Sequence, residues 1–197
     1  MKILVTAFDP FGGFDTNSSM MTLEKIKDNI NGITVEKMII PTVYRESAEC
    51  VIKKAREGDF DAVLCLGQAG GRRGITVEVI GINYALSQTA DNNKTILNGE
   101  KLLPNGENAL FSTMPVKAMV EAVVGDGFEA SLSASAGAFV CNSLLYLLLE
   151  SKCAAKIGFV HLPYAVEQDK DGYAMNTYAM AHCVEKMIEV INNSERI

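Results

Sequence analysis

Short apolar runs rich in β-branched residues alternate along this chain with stretches of helical period, and this alternation constrains the fold most. Residues 2–8 (KILVTAF) are nearly all apolar, as in a strand covered on both faces. Residues 33–40 alternate and stop at Pro41. Further strands are expected over 61–66, 75–83, 130–134 and 156–162, the last ending at His161-Leu162-Pro163. Helices are expected over about 19–29, 44–56, 114–124 with Pro115 in the first turn, and about 173–191. The pattern predicts one α/β domain over residues 1–197, with a largely parallel, helix-covered sheet. Residues 84–112 break the rhythm. TILNGEKLL within them reads as a hairpin with a type I′ turn at Asn98-Gly99. A long polar insertion of this kind is typically a lid or binding loop.

Composition removes several classes of function. The net charge is −6 and no run of lysine or arginine exceeds two, which argues against nucleic acid or an anionic membrane as partner. No apolar stretch reaches the length of a membrane span. MKILVTAFDP reads as a strand rather than a signal peptide. The five cysteines are odd in number and none forms a C-x-x-C pair, so reduced thiols in the cytoplasm are expected.

One stretch carries the chemistry. SAGAFVCNSLLYLLLE (135–150) turns from small residues into an apolar helix, with Cys141 at or near its first turn. Partial positive charge and unsatisfied N–H groups there favour a thiolate, and hence a nucleophile. A buried cysteine packing as a small hydrophobe is the alternative. A nucleophile needs a base, and the chain has two histidines. His161 falls at the carboxyl end of a strand, the edge where open α/β sheets bind ligands. His182 sits beside Cys183 within the last helix and reads as a surface or packing residue. Glu78 lies in ITVEVIGIN among core residues and so needs a partner. That partner is a catalytic histidine to be oriented; the alternative is that Glu78 points to solvent from a half-exposed strand, or pairs with Arg72 or Arg73. No ligand spacing suggests a metal, and the glycine-rich stretches 9–14 and 67–74 lack the endings of phosphate loops. Phe8, Phe11 and Phe14 on one turn suit the core or a small apolar pocket.

Taken together and in order, TAFDPFGG, GQAGGR, the glutamate of ITVEVIGIN, LFSTMP, SAGAFVCN and HLPYAVEQ resemble pyroglutamyl peptidase I, the pyrrolidone-carboxylate peptidase family, over nearly the whole chain. The resemblance implies a cysteine peptidase that removes N-terminal pyroglutamate from peptides. It implies a Glu78–Cys141–His161 triad, a three-layer α/β/α fold with a mixed sheet, a cytoplasmic homotetramer and no cofactor. It further implies a ring pocket of Phe8, Phe11 and Phe139, with Gln68 as a polar contact to substrate. The chain departs from the family pattern at three places. Ala134 stands for a common asparagine, Val79 for an arginine, and Ser87-Gln88-Thr89-Ala90-Asp91-Asn92 for A-R-I-P-D-N. These departures motivate a second reading, a relative without catalysis that binds a small lactam or a peptide N-terminus. A phosphate-binding α/β domain is a third.

Overall fold

Strand Lys2–Phe8 (β1) is buried from Ile3 to Phe8 and pairs in parallel on both sides. The computed structural model describes residues 1–194. The other strands of its main sheet are Asn29–Ile30 (β2), Ile33–Ile40 (β3), Ala62–Gln68 (β4), Ile75–Glu78 (β5), Ala130–Ser133 (β6) and Lys156–Leu162 (β7). Their order is β6-β5-β7-β4-β1-β3-β2. β3, β1, β4 and β7 run parallel, and β5 lies antiparallel to β7. The sheet is therefore mixed, mostly parallel.

Side chains alternate across the strands and divide the core in two. Ile3, Val5, Leu64, Leu66, Val160 and Leu162 pack with Ser18–Lys25 (α1), Val116–Gly125 (α3) and Thr177–Asn193 (α5). Leu4, Phe8, Val63, Cys65 and Phe159 pack with Glu46–Gly58 (α2) and Val140–Ser151 (α4). This makes the expected α/β/α layering. Among the described residues, no helix is long and apolar enough to cross a membrane.

Several local expectations need correction. Residues 75–83 are not one strand. The run breaks at Val79, and Ile80–Ile82 pairs instead with Ala109–Phe111. Asn98-Gly99 is not a turn. Only Gly99 has positive φ, at 90°, and Asn98–Glu100 pairs with Ala85–Leu86 across a register shift. A type I′ turn needs positive φ at both central residues. Asn31-Gly32 meets that need, with φ of 49° and 86°, and joins Ile30 to its cross-strand partner Ile33. That turn explains why α1 ends at Lys25: residues 29–30 are drawn into β2. The last helix starts at Thr177 rather than 173, because Ala174–Met175 pairs with Tyr164–Ala165. Asn176 then caps it, accepting the Tyr178 N–H at 2.9 Å.

One glycine sets how closely the 80–82 strand meets α4. A Cβ built on Gly81 would lie 2.9 Å from Tyr146 N and 3.1 Å from Tyr146 Cα, where no flexible side chain can yield. Gly81→Ala should destabilise the fold by about 1–3 kcal/mol through this overpacking. Urea denaturation should show a lower midpoint at unchanged slope. A variant as stable as the parent would mean that strand and helix do not meet this tightly.

Candidate active site

Strand direction and side-chain parity bring the polar residues together. On β7, residues 157, 159 and 161 face α4, and His161 is 4% exposed. β5 runs the other way, pairing Phe159 with Glu78 and His161 with Thr76. Ile75 and Val77 point to the opposite core, so Glu78 projects to the α4 face with no exposed surface. There its Oε1 lies 2.7 Å from His161 Nδ1. With Glu78 ionised, Nδ1 carries the proton and donates it in this bond.

The same Oε1 also accepts from Arg72. The guanidinium reaches in from the loop after β4 and donates to Glu78 Oε1 at 2.5 Å, Thr76 Oγ1 at 2.6 Å and the Ser135 carbonyl at 2.8 Å. The two partners offered for Glu78 by the sequence, a histidine and an arginine, are thus both present. Burial works against the Glu78 charge. The His161 hydrogen bond and charge, with Ser133 and Arg72, outweigh it and hold the carboxyl below the usual range. Arg72 is always protonated, so Glu78 stays ionised whether or not His161 carries a proton. His161 itself is pushed below its ordinary value by burial, which the Glu78 contact only partly offsets.

Cys141 is the second residue of α4. A Cβ on Gly67 would lie 3.3 Å from its Sγ and 2.7 Å from the Phe159 ring. Gly67 is the register partner of His161, and paired residues in a parallel ladder share a face. The thiol and the imidazole therefore meet on one side of the sheet, over a position where only glycine leaves room. Asn142 fixes the start of the helix. Its side chain accepts from Ile82 N at 2.9 Å and donates to the carbonyls of Ile82 and Tyr84 at 2.9 and 3.0 Å. Phe139 precedes α4 and supplies no side-chain cap, which leaves first-turn N–H groups near the sulfur.

The expected low thiol pKa is not what this environment produces. Burial pushes Cys141 up to about 12, and the Glu78 charge adds to the rise. Arg72 and the Cys141 N–H act in the opposite direction without overcoming it. A helix N-terminus contributes about 0.3–1 kcal/mol toward the thiolate, too little to offset taking the sulfur out of water. Thiol and imidazole are both neutral at rest.

The aromatic residues collect beside this group. Phe8 is buried, its ring centroid 6.3 Å from that of Phe159. Phe11 and Phe139 are half-buried with centroids 6.0 Å apart, and Tyr44 stands edge-on to Phe139 at 5.5 Å. Phe14 is exposed. Gln68 Oε1 accepts from Ser18 N at 2.8 Å and from Gln168 Nε2 at 2.9 Å, so this oxygen ties α1 to the segment after β7. The 91–95 turn closes over the aromatics. Asp91 accepts from the backbones of Tyr44, Asn93 and Thr95, and Asn92 Nδ2 donates to Asp9 Oδ1 and Pro10 O. Of the departures, Gln88 and Ala134 are exposed, and Val79 marks the break after β5. His182 is exposed and bonded to Asp126 at 2.9 Å, away from the site.

One residue of this group had no role in the sequence reading, and another stood there only as an alternative partner of Glu78. The sequence left Arg72 and Arg73 equally open as alternatives to the histidine, and nothing local shows that Arg72 joins His161 on Glu78 while Arg73 goes to Glu129. Asn142 carries a fainter signal: an amide opening an otherwise apolar helix needs partners once buried.

Known proteins share the sequence pattern and the fold of this chain. The family model for pyroglutamyl peptidase matches residues 1–194. Pyrrolidone-carboxylate peptidase 1 of Caldanaerobacter subterraneus is 42% identical over 198 residues, covering 97% of this chain and 98% of its own. Pyrrolidone-carboxylate peptidase of Thermoanaerobacter pseudethanolicus is 42% identical with all of both chains covered. The crystal structure of pyroglutamyl peptidase I from Bacillus amyloliquefaciens superposes with a TM-score of 0.92 at 29% identity, covering 98% of this chain and 95% of that one. A variant of pyrrolidone carboxyl peptidase from Pyrococcus furiosus gives a TM-score of 0.93 at 30% identity, covering 98% and 99%. A mixed sheet that gathers a glutamate, a cysteine and a histidine on one face thus occurs in a chain that belongs to the pyroglutamyl peptidase family.

Proposed function

We propose that this protein hydrolyses the bond after an N-terminal pyroglutamyl residue, with Cys141 as nucleophile, His161 as base and Glu78 as the group that orients it. The observation that carries the reading is the 2.7 Å contact of Glu78 Oε1 with His161 Nδ1, on the sheet face over which Cys141 lies. With Nδ1–H donated to Glu78, the lone pair of Nε2 is free to take a proton. In the first step Sγ attacks the pyroglutamyl carbonyl as its proton passes to Nε2. First-turn N–H groups of α4 receive the oxyanion. The imidazolium then protonates the departing amine, the C–N bond breaks and a thioester remains. Water, deprotonated by His161, hydrolyses the thioester and restores the thiol.

The substrate suits the pocket. Pyroglutamate presents a neutral, flat lactam, which the rings of Phe8, Phe11 and Phe139 can wall while a few polar groups, Gln68 among them, meet its edge. A free glutamate or amino terminus would bring an unpaired charge into that space and be rejected. The proposal extends to one domain spanning residues 1–197, and, from the family resemblance, to a cytoplasmic homotetramer that needs no cofactor. The raised Cys141 thiol favours a second reading, a relative that binds the lactam without cleaving it.

Release of a fluorescent amine separates the two readings. Under a thiol reductant, the pyroglutamyl amide should be cleaved and the prolyl amide should not, and Cys141→Ala should abolish release. Folded protein that cleaves neither amide would put the binding reading first. Alkylation by iodoacetamide probes the resting thiol. Its rate should climb with pH through and beyond 9, while kcat/KM falls only below about 6.5, as His161 gains a proton. An alkylation rate already level at neutral pH would indicate a preformed thiolate and sink the neutral-pair mechanism.

Arg72→Ala tests the counter-charge. It leaves the buried Glu78 without its permanent counter-charge, with only His161 and Ser133 as partners, and should lower stability by about 3 kcal/mol. Arg72 also depresses His161, so its removal should move the acid limb of kcat/KM to higher pH. A limb that stays in place would show that Arg72 does not act through the histidine.

A further inference from the structure

Phe11, one wall of the ring pocket, stands at the head of a turn that has little of its own to hold it. Residues 12–16 are exposed, and Gly12 and Gly13 have positive φ, 65° and 81°, in the region that glycine enters freely. Phe14 N donates to Phe11 O at 3.2 Å, which closes the turn on itself. Asp9, just before it, is firmly placed. Its N–H donates to Ile40 O at 2.9 Å, and its Oδ1 accepts from Thr42 N at 2.7 Å. Pro10 has no N–H to offer. Among the described residues, one hydrogen bond ties residues 10–14 to the rest of the chain, from Asn92 Nδ2 to Pro10 O at 2.9 Å. The same nitrogen donates to Asp9 Oδ1 at 3.1 Å. A carbonyl only accepts, so the amide must turn its nitrogen to Pro10.

Asn92 is itself carried on a rigid support. Its N–H donates to Thr42 O at 3.0 Å. The buried Asp91 accepts from Asn93 N and Thr95 N at 2.9 and 2.8 Å, and from Tyr44 N at 3.0 Å. The 91–95 turn is thus joined to residues 42–44, and Tyr44 stands edge-on to Phe139, the opposite wall. Both walls refer to one frame, Phe139 through the Tyr44 ring and Phe11 through the Asn92 amide. We propose that Asn92 is a positioning residue for the substrate: by holding Pro10 it fixes Phe11 at 6.0 Å from Phe139 and sets the width of the slot that receives the lactam ring. The inference rests on the peptidase reading above and gives the 84–112 insertion a task at that same site. A slot formed in advance takes up a flat ring without first ordering its own wall, a step that would cost affinity.

The test is Asn92→Ala, with Asn92→Asp beside it. The second keeps the size and sets an acceptor oxygen where the donor stands, against the Asp9 carboxylate and the Pro10 carbonyl. The ring is gripped away from the reacting carbonyl, equally in ground and transition states. KM for the pyroglutamyl amide should therefore rise about 3- to 10-fold in Asn92→Ala, and at least as much in Asn92→Asp, with kcat little changed. The side chain is exposed, so the melting temperature should fall by less than about 2 °C. Because Asn92 acts through Phe11, Asn92→Ala should change KM less than about 2-fold when added to Phe11→Ala. A merely structural asparagine would lower the melting temperature at unchanged KM, or add its full effect to that of Phe11→Ala, and either result overturns the assignment. Calorimetry of 2-pyrrolidone binding to the Cys141→Ala protein gives a readout independent of turnover. Asn92→Ala on that background should weaken binding by the factor seen in KM. Asn92-dependent binding by a protein that cleaves no pyroglutamyl amide would overturn the peptidase reading and keep this one. Cleavage with KM and 2-pyrrolidone affinity both indifferent to Asn92→Ala would overturn this one alone, and neither cleavage nor binding would overturn both.

Discussion

A carboxylate with no exposed surface stays charged only if hydrogen bonds and opposite charge are built around it. Glu78 is that group here, and much of the surrounding structure serves it. The loop after β4 carries Arg72 back across β5 to reach it. The same guanidinium holds the Ser135 carbonyl and so ties the carboxylate to the segment that leads into α4. Orientation of the imidazole and placement of the helix that bears the thiol thus share one anchor. Local strain is modest: Gly74 takes a φ of 77° directly before β5, where a Cβ would also strike the Glu129 carbonyl at 2.5 Å.

The reversed direction of β5 matters as much as its composition. In the antiparallel pair, Glu78 lies opposite Phe159, and His161 reaches it from two positions further along β7. The acid therefore sits beneath the imidazole, within the sheet, while the opposite side of the ring is left toward α4. Because side chains alternate, a slip of one residue in this ladder would send Glu78 into the other core, among Ile75, Val77 and Val160. The apolar residues on either side of Glu78 fix its register.

Much of this was legible in the residues themselves. β1, β3 and β7 have the predicted bounds because their apolar runs end at unambiguous punctuation: Asp9-Pro10, Pro41 and Pro163. Glu78 and His161 stood out because a polar residue in an apolar strand needs a partner. The misses share a cause, which is that tertiary context decided. Two Asn-Gly pairs occur, and only Asn31-Gly32 forms the tight turn, because Gly99 is held in a long-range ladder with residues 85–86. The 75–83 run broke at Val79 because its two halves find different partners. Arg72 and Arg73 were both open as partners of Glu78, and only the folded loop over β5 selects Arg72, leaving Arg73 to Glu129. The thiol was misjudged for the same reason. A helix start can be read locally, whereas the burial that outweighs it cannot.

A neutral, half-buried thiol has a bearing on durability. Peroxide and other oxidants react with thiolates, and a thiol pushed up to about 12 offers almost none at neutral pH. In the mechanism proposed above, the sulfur becomes nucleophilic only while an imidazole takes its proton in the presence of an acyl acceptor. Between turnovers Cys141 is chemically much like the buried Cys65 and Cys183, which burial raises to the same degree. Such an arrangement gives up standing reactivity and gains a resting state that oxidative stress inactivates slowly.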